Sequence, residues 1–242
     1  MSQPKLHIVT GKGGVGKTRC SILLSERLGI ESLVGKKSDL ERENNSLGVS
    51  GKIFLEISNR ELLEALLEEI IPFKKIADWA SASSLLQNIV FLAPQLDQLL
   101  LLYELLKKST KESILYDGPS TGNFKALLDA APTAQRMFRS GKLKTFADQI
   151  LKEMTRICVW NISLPENSAL HESQEISDYL KEFQPQIKER RVLNRCHQKP
   201  QIEGFDWEQP WRDFAFTRPE RELERTRKIS YEFRALEGDR RL

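Results

Sequence analysis

The chain has 242 residues, 40% hydrophobic and 29% charged, which is the balance of a globular protein able to bury a substantial core. Its 37 basic and 34 acidic residues leave a net charge of +3, too balanced to indicate a nucleic-acid partner or an anionic membrane surface. The three cysteines, Cys20, Cys158 and Cys196, have no metal-ligand or C-x-x-C spacing, so we expect reduced thiols in the cytoplasm. The first residues do not resemble a signal peptide, and the least polar long stretch, 79–96, carries too many polar side chains to span a membrane.

The chain begins with a predicted strand, a glycine-rich turn and a predicted helix. Residues 6–9 are apolar, and residues 17–28 place apolar side chains on one face at helical spacing. Between them, "GKGGVGKT" at residues 11–18 fills the pattern G-x-x-x-x-G-K-[ST]. A strand before this pattern and a helix after it are the context in which it binds phosphate, so we predict a phosphate-binding loop.

Strands and helices alternate along the rest of the chain. Short apolar runs predict strands at 32–34, 88–92, 113–117, 156–162 and 191–193, and 53–57 is a further apolar run. Helical periodicity predicts helices at 59–72, 96–108 and 169–183 and over most of 124–154, whereas the polar stretch 36–52 predicts a surface loop. This alternation predicts an α/β fold with a mostly parallel sheet sandwiched by helices and a reduced helical subdomain.

We predict one domain at 1–216, with a helical insertion at about 124–154, and a charged C-terminal segment at 217–242. The C-terminal segment is dense in both signs of charge, which is typical of a solvated amphipathic helix with a frayed end. Its arginines leave open the alternative of an acidic partner.

The loop offers several groups that bind phosphate and metal. Its glycines allow backbone N–H groups to point inward around a phosphate, Lys17 can reach the β- and γ-phosphates, and the Thr18 hydroxyl can ligate Mg²⁺. Asp117 closes a predicted strand and is placed to hold the waters of the metal, or else begins an ordinary Asp-Gly-Pro turn. We therefore predict ATP or ADP and Mg²⁺ as cofactors, with Thr18 and Asp117 at the metal. The predicted nucleotide-binding positions in and beside the loop are Gly11, Gly13, Gly14, Val15, Gly16, Lys17, Thr18 and Arg19.

Lys12 is a second lysine where a plain phosphate loop needs none. We expect it on the rim of the loop, pointing away from the phosphates of its own site. It is either a solvated surface lysine or a group that reaches a nucleotide in a facing subunit, where it would stabilise charge on the transferring phosphoryl group. With Lys17 and Asp117, Lys12 completes the predicted catalytic set.

"GKGGVGKT" resembles the deviant Walker A motif of the SIMIBI-class ATPases. Further segments resemble the ArsA/GET family within that class, which contains arsenite-pump ATPases and ATPases that target tail-anchored membrane proteins. The segment "YDGPSTGNFKALLDAAP" is similar to its switch II, and "APQLDQLLLLYELLKK", "WNISLPENSALHESQEISDYLKEF" and "RVLNR" are similar to later family segments in the right order.

The resemblance covers roughly residues 5–200 and implies roles for individual residues. Lys12 would act across a dimer interface, residues 13–18 would surround the phosphates, and Asp117 would be the switch II carboxylate. Glu172 would touch nucleotide across the dimer, and Asn194 would read the adenine edge, for which an amide has a suitable donor and acceptor.

The chain departs from the family pattern at three places. If Asp39 stands for the first aspartate of switch I, the water-orienting position falls near Ser46, which cannot act as a base; Glu41 or Glu43 could substitute. Arg19 replaces a second threonine and could contact the α-phosphate region, a partner or solvent. The chain also has only three methionines and no room for the long client-binding region of the family.

The leading hypothesis is a dimerising, Mg²⁺-dependent ATPase that acts as a conformational switch and hydrolyses ATP slowly. The alternative is a non-hydrolysing nucleotide-binding subunit that pairs with a more complete paralogue. The partner is a second copy or that paralogue, the client is not identified, no nucleic acid is expected, and any membrane contact is indirect.

Overall fold

The strands of this computed structural model, which describes residues 5–58, 62 and 95–194, form one sheet. The first half of the described chain contains β1 (Leu6–Thr10), α1 (Lys17–Arg27), β2 (Ser32–Val34), α2 (Lys37–Leu47) and β3 (Ile53–Leu55). The second half contains α3 (Leu96–Ser109), β4 (Ile114–Asp117), α4 (Thr121–Met137), α5 (Lys142–Glu153), a 3₁₀ turn (Met154–Arg156), β5 (Ile157–Ser163), α6 (Asn167–Phe183) and β6 (Lys188–Leu193).

The six strands are all parallel, in the order β3-β2-β4-β1-β5-β6. β1 lies inside the sheet, where Val9 is opposite Asp117 of β4 and Thr10 is opposite Asn161 of β5. After β1 the chain adds β2, β3 and β4 on one side of β1, and it then adds β5 and β6 on the other side. β1 therefore borders the point where the direction of winding reverses. Ligands of open parallel sheets bind outside the carboxyl ends of the strands at such a point, which is where β1 leads into the glycine-rich loop.

Both faces of the sheet are buried beneath helices. Leu6 and Ile8 of β1 pack in one hydrophobic cluster, with residues of α3, α4, α5 and α6. Val9 of β1 packs in a second cluster, with residues of α1 and α2. Successive strand residues point to opposite faces, so this alternation separates the two helical layers. The predicted α/β fold with a parallel sheet sandwiched by helices is confirmed.

The prediction of a surface loop at 36–52 is wrong, because most of this segment forms α2. Leu40 is the one fully buried residue of this helix, so the hydrophobic periodicity that identifies helices is nearly absent. Ion pairs of Lys36 and Arg42 with Asp39 run along the exposed face, and Gly48 ends the helix at φ 66°. The helix is therefore stabilised by local charge pairs, a glycine cap and one core leucine.

The other predicted elements are confirmed where the structure describes them, with ends that differ by a few residues. The helical stretch 124–154 consists of two helices, α4 and α5, separated at residues 138–141. The predicted strand 88–92, the segment 217–242, Cys196 and all of the predicted helix 59–72 except Leu62 lie outside the described residues. In the part of the chain that the structure describes, no helix is long and apolar enough to cross a membrane.

Candidate functional site

The glycine-rich loop connects β1 to α1 at the carboxyl edge of the sheet. Gly14 and Gly16 have φ values of 80° and 85°, which favour glycine. A Cβ on Gly16 would lie 2.6 Å from the side-chain nitrogen of Asn194, and a Cβ on Gly11 would lie 2.1 Å from the carbonyl oxygen of Ile162. Side chains at Gly11 and Gly16 would therefore collide with the ends of β5 and β6. The loop stands at the N-terminus of α1, where unpaired backbone N–H groups favour an anion.

The Lys17 side chain lies across the loop. Its Nζ donates hydrogen bonds to the carbonyl oxygens of Lys12 at 3.0 Å and of Gly11 at 3.2 Å. Burial lowers the pKa of Lys17 below its ordinary value, and the nearby carboxylates of Asp117 and Glu172 oppose that shift without cancelling it. A half-buried ammonium of this kind gains from additional negative charge, which a phosphate would supply.

Asp117 lies at the end of β4, directly beside the loop. Its two carboxylate oxygens accept hydrogen bonds from Thr18 Oγ1 at 2.7 Å and from Ser21 Oγ at 2.9 Å. A threonine hydroxyl that donates its proton still has oxygen lone pairs for a cation, so Thr18 and Asp117 together fit Mg²⁺, which prefers oxygen ligands.

The pKa of Asp117 is raised above its ordinary value. Burial is the main cause, and the charge of Asp39 adds to it. The hydrogen bonds from Thr18 and Ser21 and the charge of Lys17 lower the pKa by less than burial raises it. A divalent cation would favour the ionised carboxylate and reverse this shift.

Ser21 and Gly118 belong to the site and were missed by sequence reasoning. Ser21 lies one helical turn after Thr18, so the i, i+3 spacing was a usable signal that both hydroxyls share a face. The N–H of Gly118 donates to the carbonyl of Val9 at 2.9 Å, and a Cβ there would lie 2.6 Å from the same oxygen. The segment that follows Asp117 therefore lies tightly against β1, a contact between distant segments that no local pattern predicts.

Lys12 forms an ion pair within its own chain. Its Nζ lies 3.0 Å from Glu172 Oε1, and the two side chains are 36% and 32% exposed. The other oxygen of Glu172 accepts a hydrogen bond from Thr121 Oγ1 at 3.1 Å. Glu172 thus connects the glycine-rich loop to the first residue of α4, so Lys12 is not an isolated surface lysine.

The residues of α2 differ in what they contact. Arg19 lies 3.6 Å from Glu43 Oε2 and donates a long hydrogen bond of 3.4 Å to Ser46 Oγ. Glu41 lies 3.9 Å from Lys37 on the exposed side of the helix. Asp39 is the α2 carboxylate whose charge acts on Asp117. Asp39 itself pairs with Lys36 and Arg42, each at 3.4 Å, so each of the three acidic side chains of α2 contacts a cation.

Asn194 directly follows β6, and its side chain contacts the glycine-rich loop at Val15. Its side-chain nitrogen donates to the carbonyl oxygen of Val15 at 2.8 Å, and the residue is buried. The structure thus brings together the loop, Lys12, Lys17, Thr18, Asp117, Glu172 and Asn194 at one edge of the sheet, whereas Arg19 faces α2.

No protein-family model matches the chain, and no curated protein matches its sequence. The class of protein therefore rests on the fold and the site. A parallel α/β sheet with a strand, a glycine-rich loop and a helix at its carboxyl edge is a layout consistent with a P-loop NTPase.

Proposed function

We propose that this protein binds ATP with Mg²⁺ and hydrolyses it slowly, acting as a nucleotide-driven switch similar to the ArsA/GET ATPases. The observation that carries the proposal is the 2.7 Å hydrogen bond between Thr18, the last residue of the phosphate-loop pattern, and Asp117 at the end of the neighbouring strand. That pair supports the proposal because a phosphate-loop enzyme holds its metal with a loop hydroxyl and a carboxylate from a neighbouring strand.

Each group has a defined task in this proposal. The backbone N–H groups of the loop and the Lys17 ammonium bind the phosphates, and Thr18 and Asp117 hold the metal. Mg²⁺, when bound, neutralises charge that develops on the β- and γ-phosphate oxygens. Ser21 keeps the second oxygen of Asp117 hydrogen-bonded and so fixes the carboxylate in place.

Asp39 is the group that we propose orients the attacking water. All three carboxylates of α2 form ion pairs, Asp39 with Lys36 and Arg42 included. Asp39 is preferred because it lies in the first turn of α2, and Gly35, just before that turn, lies beside Asp117, where a Cβ on Gly35 would be 3.1 Å from Asp117 Cβ. Asp39→Asn should lower steady-state phosphate release at least tenfold, the scale of a lost general base. Glu43→Gln is the matched control and should retain turnover; the reverse order of the two variants would contradict the role of Asp39.

Binding itself is tested by calorimetric titration of MgATP into the full chain. Lys17→Ala should weaken binding by about tenfold or more, because it removes a charge-assisted contact to phosphate. Lys142→Ala removes an exposed lysine at the start of α5 and should bind like the wild type. Equal affinities for the wild type and Lys17→Ala would refute the phosphate-loop assignment.

The second candidate function is a non-hydrolysing nucleotide-binding subunit that pairs with a more complete paralogue. The contacts of Arg19 with Glu43 and Ser46 favour it, since they engage Ser46, near which the family resemblance puts the water-orienting position, and Glu43, one of the two glutamates that could substitute there. Phosphate release that stays at background, alone and with a co-encoded relative, would support this alternative over the ATPase.

We also propose that the protein works in the cytoplasm, as a homodimer or as a heterodimer with that paralogue, with ATP closing the two subunits face to face. Lys12 lies on the same edge of the sheet as the nucleotide groups and is one-third exposed, so it is accessible to a facing subunit.

A further inference from the structure

We propose that Asn194 is a positioning residue of the phosphate loop, which sets the affinity for the polyphosphate of any nucleotide whatever its base. The inference rests on the proposed function only in that the loop binds phosphate. It differs from the role that the family resemblance implies, in which this amide reads the adenine edge.

Two hydrogen bonds fix Asn194 between the sheet and the loop. Its backbone N–H donates to the carbonyl oxygen of Ser163 at 2.8 Å, which fixes the residue at the carboxyl end of β5. Its side-chain nitrogen donates to the carbonyl oxygen of Val15 at 2.8 Å, and only 6% of the residue is exposed. The amide therefore connects the edge of the sheet with the interior of the loop.

The bond to Val15 also determines which way the next N–H group points. The C=O and N–H of a trans peptide point in opposite directions, so a Val15 carbonyl directed at Asn194 turns the Gly16 N–H away from Asn194. The protein has no cis peptide bonds in the described residues, so this geometry applies here. The Gly16 N–H is one of the donors that the proposed function assigns to phosphate.

Close packing makes this arrangement specific. A Cβ on Gly16 would lie 2.6 Å from the Asn194 nitrogen, and the Val15 side chain is buried in the cluster beneath α1. The peptide between Val15 and Gly16 is thus held by a buried side chain on one side and a buried amide on the other. Loss of the amide would leave the Val15 carbonyl without this partner and relax the peptide.

The test compares three ligands that share a polyphosphate but differ in the base. MgATP, MgGTP and magnesium tripolyphosphate are titrated into the full-length wild type, Asn194→Ala and Asn194→Asp. We expect Asn194→Ala to weaken all three by a similar factor, about two- to tenfold, which corresponds to one buried hydrogen bond. Asn194→Asp should weaken all three further, because a carboxylate cannot donate to the Val15 carbonyl and its charge repels phosphate.

Asn44→Ala is the matched control. Asn44 also donates a side-chain amide hydrogen bond to a backbone carbonyl, that of Val49 at 3.0 Å, but it does so at the far end of α2. It should keep wild-type affinity for all three ligands. Thermal unfolding of each variant separates lost affinity from lost folding.

A change confined to ATP, or a gain in GTP affinity for Asn194→Asp, would overturn the inference in favour of base reading. Unchanged affinity of Asn194→Ala for all three ligands would overturn it as well. If the wild type binds none of the three ligands, the proposed function fails. If the wild type binds them and Asn194→Ala binds them equally well, only the inference fails.

Discussion

Asp117 is a buried carboxylate on which burial and hydrogen bonding have opposite effects. Thr18, Ser21 and Lys17 all favour its ionised form, yet burial and the charge of Asp39 leave the pKa above the ordinary value of 3.8. At neutral pH Asp117 therefore lowers the free energy of unfolding. Such a cost is common for residues that serve binding or catalysis.

The stability of the ligand-free protein should depend on this group in a defined direction. A carboxyl group with a raised pKa contributes stability that is fully present below its unfolded-state pKa and is lost as the pH rises through the folded-state pKa. Asp117→Asn has no such titration, so as the pH rises above the ordinary carboxyl pKa of 3.8 its unfolding temperature should fall less than that of the wild type. Differential scanning calorimetry without Mg²⁺ measures the difference; parallel curves for the two proteins would contradict it.

The same titration should appear in metal binding, with a readout independent of stability. Mg²⁺ needs the ionised carboxylate, so the Mg²⁺ dependence of ATP binding should weaken as the pH falls through the raised pKa of Asp117. Asp117→Asn should show little Mg²⁺ dependence at any of these pH values. Calorimetric titration of ATP with and without Mg²⁺ tests this, and a fully Mg²⁺-dependent Asp117→Asn would rule out the assigned metal role.

At the scale of elements, α2 shows what the sequence could and could not predict. Periodic helices such as α3 were predictable because their apolar residues repeat, whereas α2 has a single buried leucine, Leu40, and depends on charge pairs and on packing against α1. The glycine loop, Thr18 and Asp117 were predictable because the motif is local and parallel strands end at one edge of the sheet. The contact of Glu172 with both Lys12 and Thr121 joins three distant segments, and only tertiary packing determines it.

Arg19 supplies a cross-helix contact to α2, through Glu43 and Ser46. Arg19→Ala should increase the opening of α2, so its backbone amides should exchange with deuterium about two to five times faster, the scale of a partly exposed ion pair. Lys37→Ala removes an ion pair within the same helix instead of one between helices and should change exchange less. Hydrogen–deuterium exchange by mass spectrometry resolves the α2 peptides; unchanged exchange in Arg19→Ala would show that Arg19 does not stabilise α2.

At the scale of the whole molecule, the Lys12–Glu172 pair bears on association. In the single chain, Lys12 is 3.0 Å from Glu172, which also accepts the hydrogen bond from Thr121 at the start of the helix that follows Asp117. If Lys12 acts on the nucleotide of a facing subunit, it must first leave this pair. Both side chains are about one-third exposed, so the pair opposes departure by no more than about 1 kcal/mol.

Replacing Glu172 should therefore favour the associated state. We expect Glu172→Gln to strengthen MgATP-promoted self-association by about two- to fivefold and Lys12→Ala to abolish it, as measured by sedimentation velocity with and without nucleotide. Glu175→Gln is the matched control, because Glu175 lies on the same helix and pairs with Lys125 and His171 away from the loop. Weaker association of Glu172→Gln than of Glu175→Gln would instead favour the role implied by the family resemblance, in which Glu172 touches the nucleotide across the dimer. If Lys12→Ala and the wild type associate equally, Lys12 does not act across the interface, and its role is the ion pair with Glu172 within its own chain.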